Sequence, residues 1–338
     1  MNIEESLSFD DVLLVPQYSD VETRSLVSTK VKIKEFTFAQ PIIPANMKTI
    51  TGKNMAEFLL AEKSLGLLHR FMSIEEQIQI LQDLEKVNGK NTYNYIGVSV
   101  GVREEDKKNI KKFLDIGVKI FCIDIAHGDS KQCVEMCKYI KSLGNVLLIA
   151  GNVCTKDGAL RLWNAGADVC KVGVGNGSLC STRIETGNGF PQLSALINIS
   201  SVKPNNKYII SDGGIKNAGD VVKALCFSNM IMSGSLFAGT EEAPGETIKV
   251  NDQLYKQYAG SSTHKTNHIE GVIASVPYKG RAKDILTKLL EGVKSGCSYQ
   301  GVSSIDDLNK NKPHMVRITN AGWRESVPHN PHVIKSER

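Results

Sequence analysis

The 338-residue sequence contains no run of 18 apolar residues, which leaves no segment long and apolar enough for a membrane-spanning helix. The opening residues Met1-Asn-Ile-Glu-Glu carry neither a basic region nor a long apolar segment, so no signal peptide is expected. Eight cysteines are too sparse for a disulfide scaffold, and no two stand in a CxxC pair of the kind that binds zinc. No block of lysine and arginine is interleaved with aromatics, and the formal charge of +5 is mild. That pattern argues against a nucleic-acid partner and fits a protein that handles phosphorylated small molecules. There is no low-complexity stretch and no internal repeat beyond an alternation of strand and helix signals. A reducing cytoplasm, with no membrane partner, is the expected setting.

What is present is an ordinary globular composition, 41% hydrophobic and 23% charged, in a chain long enough to bury a sizeable core. Short apolar runs recur at 41–45, 66–69, 95–100, 119–125, 145–150, 168–173, 207–211 and 230–234. Their starts fall about 23 to 29 residues apart, with one longer gap before residue 207. Amphipathic segments lie between them. Ser73-Ile-Glu-Glu76 is a capping box ahead of Ile74, Ile78, Leu81 and Leu84 at helical spacing. Ile110, Phe113 and Leu114 form another stripe, closed by Gly117; Thr155 and Asn217 can cap two more helices. A last helix is expected over 282–293. Cys122, Cys170 and Cys226 sit in apolar runs and read as buried; Cys133 and Cys137 share one helix face. The alternation predicts an α/β fold, a (β/α)8 TIM barrel spanning 1–338 as one domain, with a doubly wound open sheet as the rival. Residues 251–280 read as a polar, irregular flap. Residues 309–338, with Pro313, Pro328 and Pro331, read as an extended arm ordered by a neighbouring subunit.

In a barrel the active site lies at the C-terminal ends of the strands. The polar and glycine-rich residues fall there: Asn46-Met47, His69-Arg70, Asp124-Ile-Ala-His-Gly128, Gly151-Asn152, Asp212-Gly-Gly214 and Gly234-Ser235. The centre is Lys171-Val-Gly-Val-Gly-Asn-Gly-Ser-Leu-Cys-Ser-Thr-Arg183. Its glycines permit left-handed backbone and close approach to a ligand, and Cys180 at the tip could be a nucleophile. Any one of these could instead be a structural turn. Gly213, Gly214, Gly234 and Ser235 sit where barrels bind phosphate, and Asp212 could accept from ribose hydroxyls or merely cap the next helix.

These residues resemble the inosine-monophosphate dehydrogenase and guanosine-monophosphate reductase superfamily. Leu7-Ser-Phe-Asp-Asp-Val-Leu-Leu-Val-Pro16 is similar to its N-terminal signature and 173–183 to its catalytic-cysteine loop. Ser211-Asp-Gly-Gly214 and Gly234-Ser-Leu-Phe-Ala-Gly-Thr-Glu-Glu-Ala-Pro-Gly245 are similar to its phosphate-binding segments. The resemblance covers nearly the whole chain. It implies a barrel, usually a homotetramer, that binds a purine mononucleotide (GMP or IMP) beside a nicotinamide dinucleotide, with Cys180 attacking C2 of the purine. It implies Ser178, Asp212, Gly213, Gly214, Gly234, Ser235, Tyr258, Gly260, Ser261, Gly271 and Met47 on the nucleotide. Asp124, Ile125, Ala126, Asn152, Gly173 and Val174 would lie on the dinucleotide side. Arg70 and Arg24 could meet an adenosine phosphate, favouring NADPH/NADP over NAD. Gly175, Gly177 and Cys180, with Arg183, would hold a monovalent cation, commonly K+, mainly by backbone carbonyls.

The two branches of the superfamily differ in how the covalent intermediate is resolved. The dehydrogenase hydrolyses it with an Arg-Tyr pair on a flap; the reductase needs no hydrolytic base. The stretch Gly260-Ser-Ser-Thr-His-Lys-Thr-Asn-His-Ile-Glu270 holds neither arginine nor tyrosine. The regulatory module that most dehydrogenases insert after the second strand has no counterpart between His69 and Tyr95. Pro41-Ile-Ile-Pro-Ala-Asn-Met47 and Leu68-His-Arg-Phe71 also resemble reductases, whereas Val316-Arg-Ile-Thr-Asn-Ala-Gly-Trp-Arg-Glu-Ser326 is more like a dehydrogenase tail. The resemblance therefore implies reductive deamination of GMP to IMP, with Thr182 and Glu270 relaying protons. His264, Lys265 and His268 are substitute bases if the chain is an IMP dehydrogenase. Asn267 and Ile269 depart from the Arg and Ser of one reductase group. A non-catalytic nucleotide-binding barrel is the further alternative.

Overall fold

All eight apolar runs form parallel strands. They are rich in isoleucine and valine, whose branched side chains suit extended backbone buried on both faces. The barrel strands are β1 Ile42–Pro44, β2 Gly66–Leu68, β3 Ile96–Val100, β4 Ile120–Asp124, β5 Leu147–Val153, β6 Val169–Val172, β7 Tyr208–Asp212 and β8 Met230–Ser233. The computed structural model describes residues 3–259 and 273–326. The strands hydrogen-bond in the order β1-β8-β7-β6-β5-β4-β3-β2. That is the circular order of a (β/α)8 barrel, and it excludes the reversal of a doubly wound sheet. Just below the seam between β1 and β2, the Ala39 N–H donates to the Lys63 carbonyl at 2.9 Å.

Helices follow each strand: α1 Lys53–Ala61, α2 Ile74–Asn88, α3 Glu104–Asp115, α4 Lys131–Leu143, α5 Lys156–Asn164, α6 Gln192–Ser200, α7 Ala218–Leu225 and α8 Ala282–Tyr299. Their starts are set by local hydrogen bonds. Ser73, Thr155 and Asn217 accept from the backbone N–H groups of Glu76, Gly158 and Asp220, each stabilising its helix by about 1 kcal/mol. Leu81, Leu84, Ile110 and Phe113 bury against the strands. Helix α8 runs six residues past the expected end at 293. Its glycines are packing positions rather than stops. A Cβ on Gly292 would lie 2.4 Å from Ala218 Cβ, and one on Gly296 2.5 Å from a Val222 methyl. Only glycine lets α8 lie that close to α7.

Two expected irregular regions hold strands where they are described; 260–272, with His264, Lys265, Asn267, His268 and Ile269, lies outside the described residues. Within 251–280, the strands Gln253–Ala259 and Ile273–Pro277 pair antiparallel, and Thr247–Val250 adds a third strand. The polar appearance arises because the inward positions include Lys256. It is buried, and its ammonium is caged by the carbonyls of Thr240, Glu241 and Ala243 at 3.0, 3.1 and 2.5 Å. The expected C-terminal arm folds back on its own chain: Met315–Arg317 pairs antiparallel with Val12–Leu14. The rest of that arm, 327–338, lies outside the described residues.

Candidate active site

Lys171 lies at the centre of the upper barrel end. It projects from β6, a four-residue strand buried throughout. Its ammonium meets Asp124 Oδ1 at the end of β4 (2.9 Å), Asp212 Oδ2 at the end of β7 (2.8 Å) and Asn152 Oδ1 on β5. Asn152 reaches inward because the β5–β6 register steps from Gly151↔Lys171 to Val153↔Val172, leaving it unpaired in a bulge. Its amide donates to Asp212 Oδ2 (2.8 Å) and to the Gly173 carbonyl (2.7 Å). Burial alone would push the Lys171 ammonium down, but Asp124 and Asp212 outweigh it and raise it. Burial would likewise push the Asp124 carboxyl up; Lys171, then Arg70 and Asn46, hold it below its ordinary value.

The loop after β6 is fixed against β7. At Gly173, φ is +151° and a Cβ would lie 2.0 Å from the Asp212 carbonyl oxygen, so only glycine fits. Asn176 donates to that same carbonyl at 2.9 Å. Further along, Ser178 Oγ and Tyr258 Oη are 3.2 Å apart. A Cβ on Gly234 would meet Tyr258 Oη at 2.7 Å and Met47 Sδ at 3.0 Å. Ser178, Tyr258, Gly234 and Met47 therefore converge on one spot. Burial raises the Tyr258 hydroxyl, so it stays a hydrogen-bond donor.

Of the eight cysteines, Cys180 alone is exposed. Its thiol faces Thr182 Oγ1 at 3.2 Å. Burial pushes the thiols of Cys122, Cys170, Cys226 and Cys297 up, which makes them inert. Gly175 has φ +78° and packs on the Arg183 side chain, whose guanidinium donates to the Phe190 carbonyl at 2.7 Å. The Gly177 carbonyl accepts from the Cys180 N–H. Val174 is half-buried, and its carbonyl accepts from the Phe190 N–H.

On the other side of the mouth, Arg70 Nε donates to the Asp124 carbonyl at 2.9 Å and its guanidinium lies 4.4 Å above the Phe71 ring. Ile125 exchanges backbone bonds with Gly151 and Asn152, so the 124–128 loop, Ala126 included, is stitched to the end of β5.

Several expected donors and positions are corrected. The Gly213 N–H is committed to the Met232 carbonyl at 3.0 Å, extending the sheet, and so is not a phosphate donor. Asp212 does not cap the next helix; Asn217 does. Ser235 Oγ points to the Ile215 carbonyl at 3.5 Å, while Lys279 donates to the Ser235 carbonyl at 2.6 Å. Arg24 is not at this mouth. It donates to Ser295, near the far end of α8, thirteen residues beyond the Ala282 start, roughly 20 Å along the helix axis. Gly260, Ser261, Glu270 and Gly271 lie outside the described residues. Lys171, Asn176 and Lys279 are site residues that no sequence motif singles out. Only Lys171 left a signal, a lone cation inside the apolar run Val169-Cys-Lys-Val172.

Comparison with known proteins agrees with this fold. The family model described as the IMP dehydrogenase / GMP reductase domain matches residues 6–329. A GMP reductase of Clostridium acetobutylicum is 38% identical over 316 residues, covering 90% of this chain and 94% of that protein. An inosine-5'-monophosphate dehydrogenase of Borreliella burgdorferi is 33% identical, covering 97% of each. The crystal structure of a GMP reductase from Trypanosoma brucei in complex with guanosine 5'-monophosphate superposes with a TM-score of 0.88 at 26% identity, covering 97% of this chain and 98% of that one. The chain belongs to the IMP dehydrogenase / GMP reductase family.

Proposed function

We propose that this protein is a GMP reductase, converting GMP, NADPH and two protons to IMP, ammonium and NADP. The observation that carries the reading is the exposed Cys180 thiol 3.2 Å from the Thr182 hydroxyl. It stands on a glycine loop locked to the carboxylate strand β7. The relatives named GMP reductase support it, as does a 260–270 stretch without arginine or tyrosine to activate water.

In this reading the Cys180 thiolate adds to C2 of the purine. Thr182 and Glu270 relay the proton that lets the 2-amino group leave as ammonia, a contribution of roughly a hundredfold or more. Elimination leaves C2 bonded to sulfur as a thioimidate. NADPH supplies the hydride, and Cys180 departs as thiolate when C2 has gained its hydrogen. Asp212 accepts from the ribose; its two side-chain contacts both fall on Oδ2, which leaves Oδ1 for a ligand. Tyr258 and Met47, which close on Gly234, would border the mononucleotide together with Ser178, Gly214 and Ser235.

Asp124, Ile125, Ala126, Asn152, Gly173, Val174 and Arg70 would hold the dinucleotide. The donor set fits: Asp124, kept ionised by Lys171, is an acceptor for hydroxyls, and Arg70 is a cation for phosphate. The neutral carbonyls of Gly175, Gly177 and Cys180 suit a monovalent cation such as K+. NADPH rather than NADH, a homotetramer and a cytoplasmic setting complete the reading. Purified protein given GMP and NADPH is expected to consume the reduced cofactor and release ammonia. Formation of XMP from IMP and NAD, with no reaction of GMP, would overturn it.

A further inference from the structure

We propose that Lys171 is a positioning residue that couples the two binding regions, fixing the carboxylate on the mononucleotide side against the one on the dinucleotide side. The inference rests on the reading above for which side is which. An ammonium has three donors. Here the three acceptors come from three strands: Asp124 from β4, Asn152 from β5 and Asp212 from β7. The side chain is 3% exposed, so no donor is left for a ligand. Lys171 can act on the reaction only through the groups that it holds.

Those groups form a closed circuit. Asn152 accepts from Lys171 and donates to Asp212 Oδ2, the oxygen that Lys171 also grips. A ribose hydroxyl donating to Asp212 draws on the carboxylate that shares Lys171 with Asp124. The hold on Asp124 then tightens. One shared cation thus makes occupancy of one region felt in the other, with no movement of the strands. Asn46, which donates to Ser99 at 2.8 Å, also bonds Asp124 from the β1 side. Among the described residues, the remaining titratable or charged neighbours are the buried Cys122 thiol on β4, Arg70 beside Asp124 and Tyr258 beside Asp212. None can replace the ammonium between the two carboxylates.

Without that cation, two carboxylates face each other in a buried space. One of them then takes a proton, and the spacing of the pair becomes a function of pH. Lys171→Met is expected to lose at least about 100-fold in kcat/KM, the scale of a small misplacement of reacting groups. Its remaining activity should survive toward acid pH, where the shared proton holds the pair together. It should fall as pH rises through the raised carboxyl, a limb that the wild type lacks. A merely structural lysine would lower stability without adding that limb.

Should Lys171→Met fail to fold, Asp124→Asn carries the test. It leaves the mononucleotide side chemically intact. GMP binding is read as protection of Cys180 from alkylation, followed by intact mass, with no dinucleotide present. Asp124→Asn is expected to change the GMP concentration that gives half-protection by at least about fivefold. Unchanged protection in Asp124→Asn, or a folded Lys171→Met with the wild-type pH profile, overturns the proposal. A wild type that binds GMP but does not consume NADPH would instead overturn the assigned reaction and leave the coupling standing.

Discussion

The two ends of the barrel carry the same side-chain pair in opposite proportion. At the upper end one lysine, Lys171, lies between two carboxylates, Asp124 and Asp212. At the lower end one carboxylate, Asp168, lies between two lysines: Oδ1 is 3.5 Å from Lys34 Nζ, and Oδ2 is 3.0 Å from Lys141 Nζ. The lower carboxylate is engaged at both oxygens, and Oδ2 also accepts from the Leu148 N–H at 2.9 Å. Lys207 and Lys203 nearby end on backbone carbonyls. Among the described residues, the side-chain contacts of Asp212 all fall on Oδ2, which suits an end that receives hydroxyls. A carboxylate engaged at both oxygens suits the end that holds the fold together, and one with an oxygen to spare suits the end proposed to bind.

The largest expected effect tests the upper end. Cys180→Ala should lower turnover by roughly four orders of magnitude or more, because the covalent route is lost and not merely slowed. Titration calorimetry should still show GMP binding, since no phosphate or ribose contact is removed. Substantial turnover in this variant would break the assignment of the upper end as the site of covalent chemistry.

The lower end should respond in the opposite sense. Asp168→Asn removes the one charge that holds Lys34 and Lys141, both about three-quarters buried. A loss of about 2–4 kcal/mol of stability is expected, near the lower range for breaking a buried pair. Thermal unfolding should show the loss, while kcat and both KM values stay within about twofold of wild type. A large change in KM with stability intact would mean that the lower end takes part in binding.

Much of this contrast was legible in the sequence, and the rest was hidden for definite reasons. Parallel strands buried on both faces appear as apolar runs, so all eight stood out. Strand β5 runs on to Val153 because Gly151-Asn152 looks like a turn and is a bulge. The Cys180 loop and Gly234 were legible through glycine, which marks close approach. The partners of Lys171 and Lys256 were not, because a buried lysine is stabilised by groups that other strands and loops bring to it. Gly213 read as a donor, yet its N–H belongs to the sheet ladder, which only register reveals. Arg24 read as a rim residue because sequence does not show the face on which a surface arginine lies.

Acid sensitivity should also be unequal, and His69 sets it at the upper end. Burial, with a smaller contribution from Lys48, lowers its imidazole from 6.5 to about 4. Its Nδ1 accepts from the Phe71 N–H at 3.1 Å, a bond that protonation removes. The unfolded chain binds the proton first, so stability is lost as pH falls from 6.5 toward 4 and is fully present above 6.5. The loss is on the order of 3 kcal/mol. Melting temperature against pH should flatten on the acid side in His69→Gln; an unchanged acid slope would place the sensitivity elsewhere.

The smallest expected effect is at Arg24, and it sharpens the contrast most. Its 3.3 Å bond to Ser295 joins two exposed side chains, so Arg24→Ala should change stability by no more than about 0.5 kcal/mol. Within one chain it is far from the upper mouth, whereas Arg70 lies on the Asp124 loop. Arg70→Ala is therefore expected to raise the KM for the dinucleotide, and Arg24→Ala to leave it unchanged within about twofold. Paired kinetics with NADPH and NADH check this. A selective rise in the NADPH KM for Arg24→Ala would mean that a second copy brings its lower flank against the first copy's mouth. The division of labour between the ends would then hold within one chain and fail in the assembly.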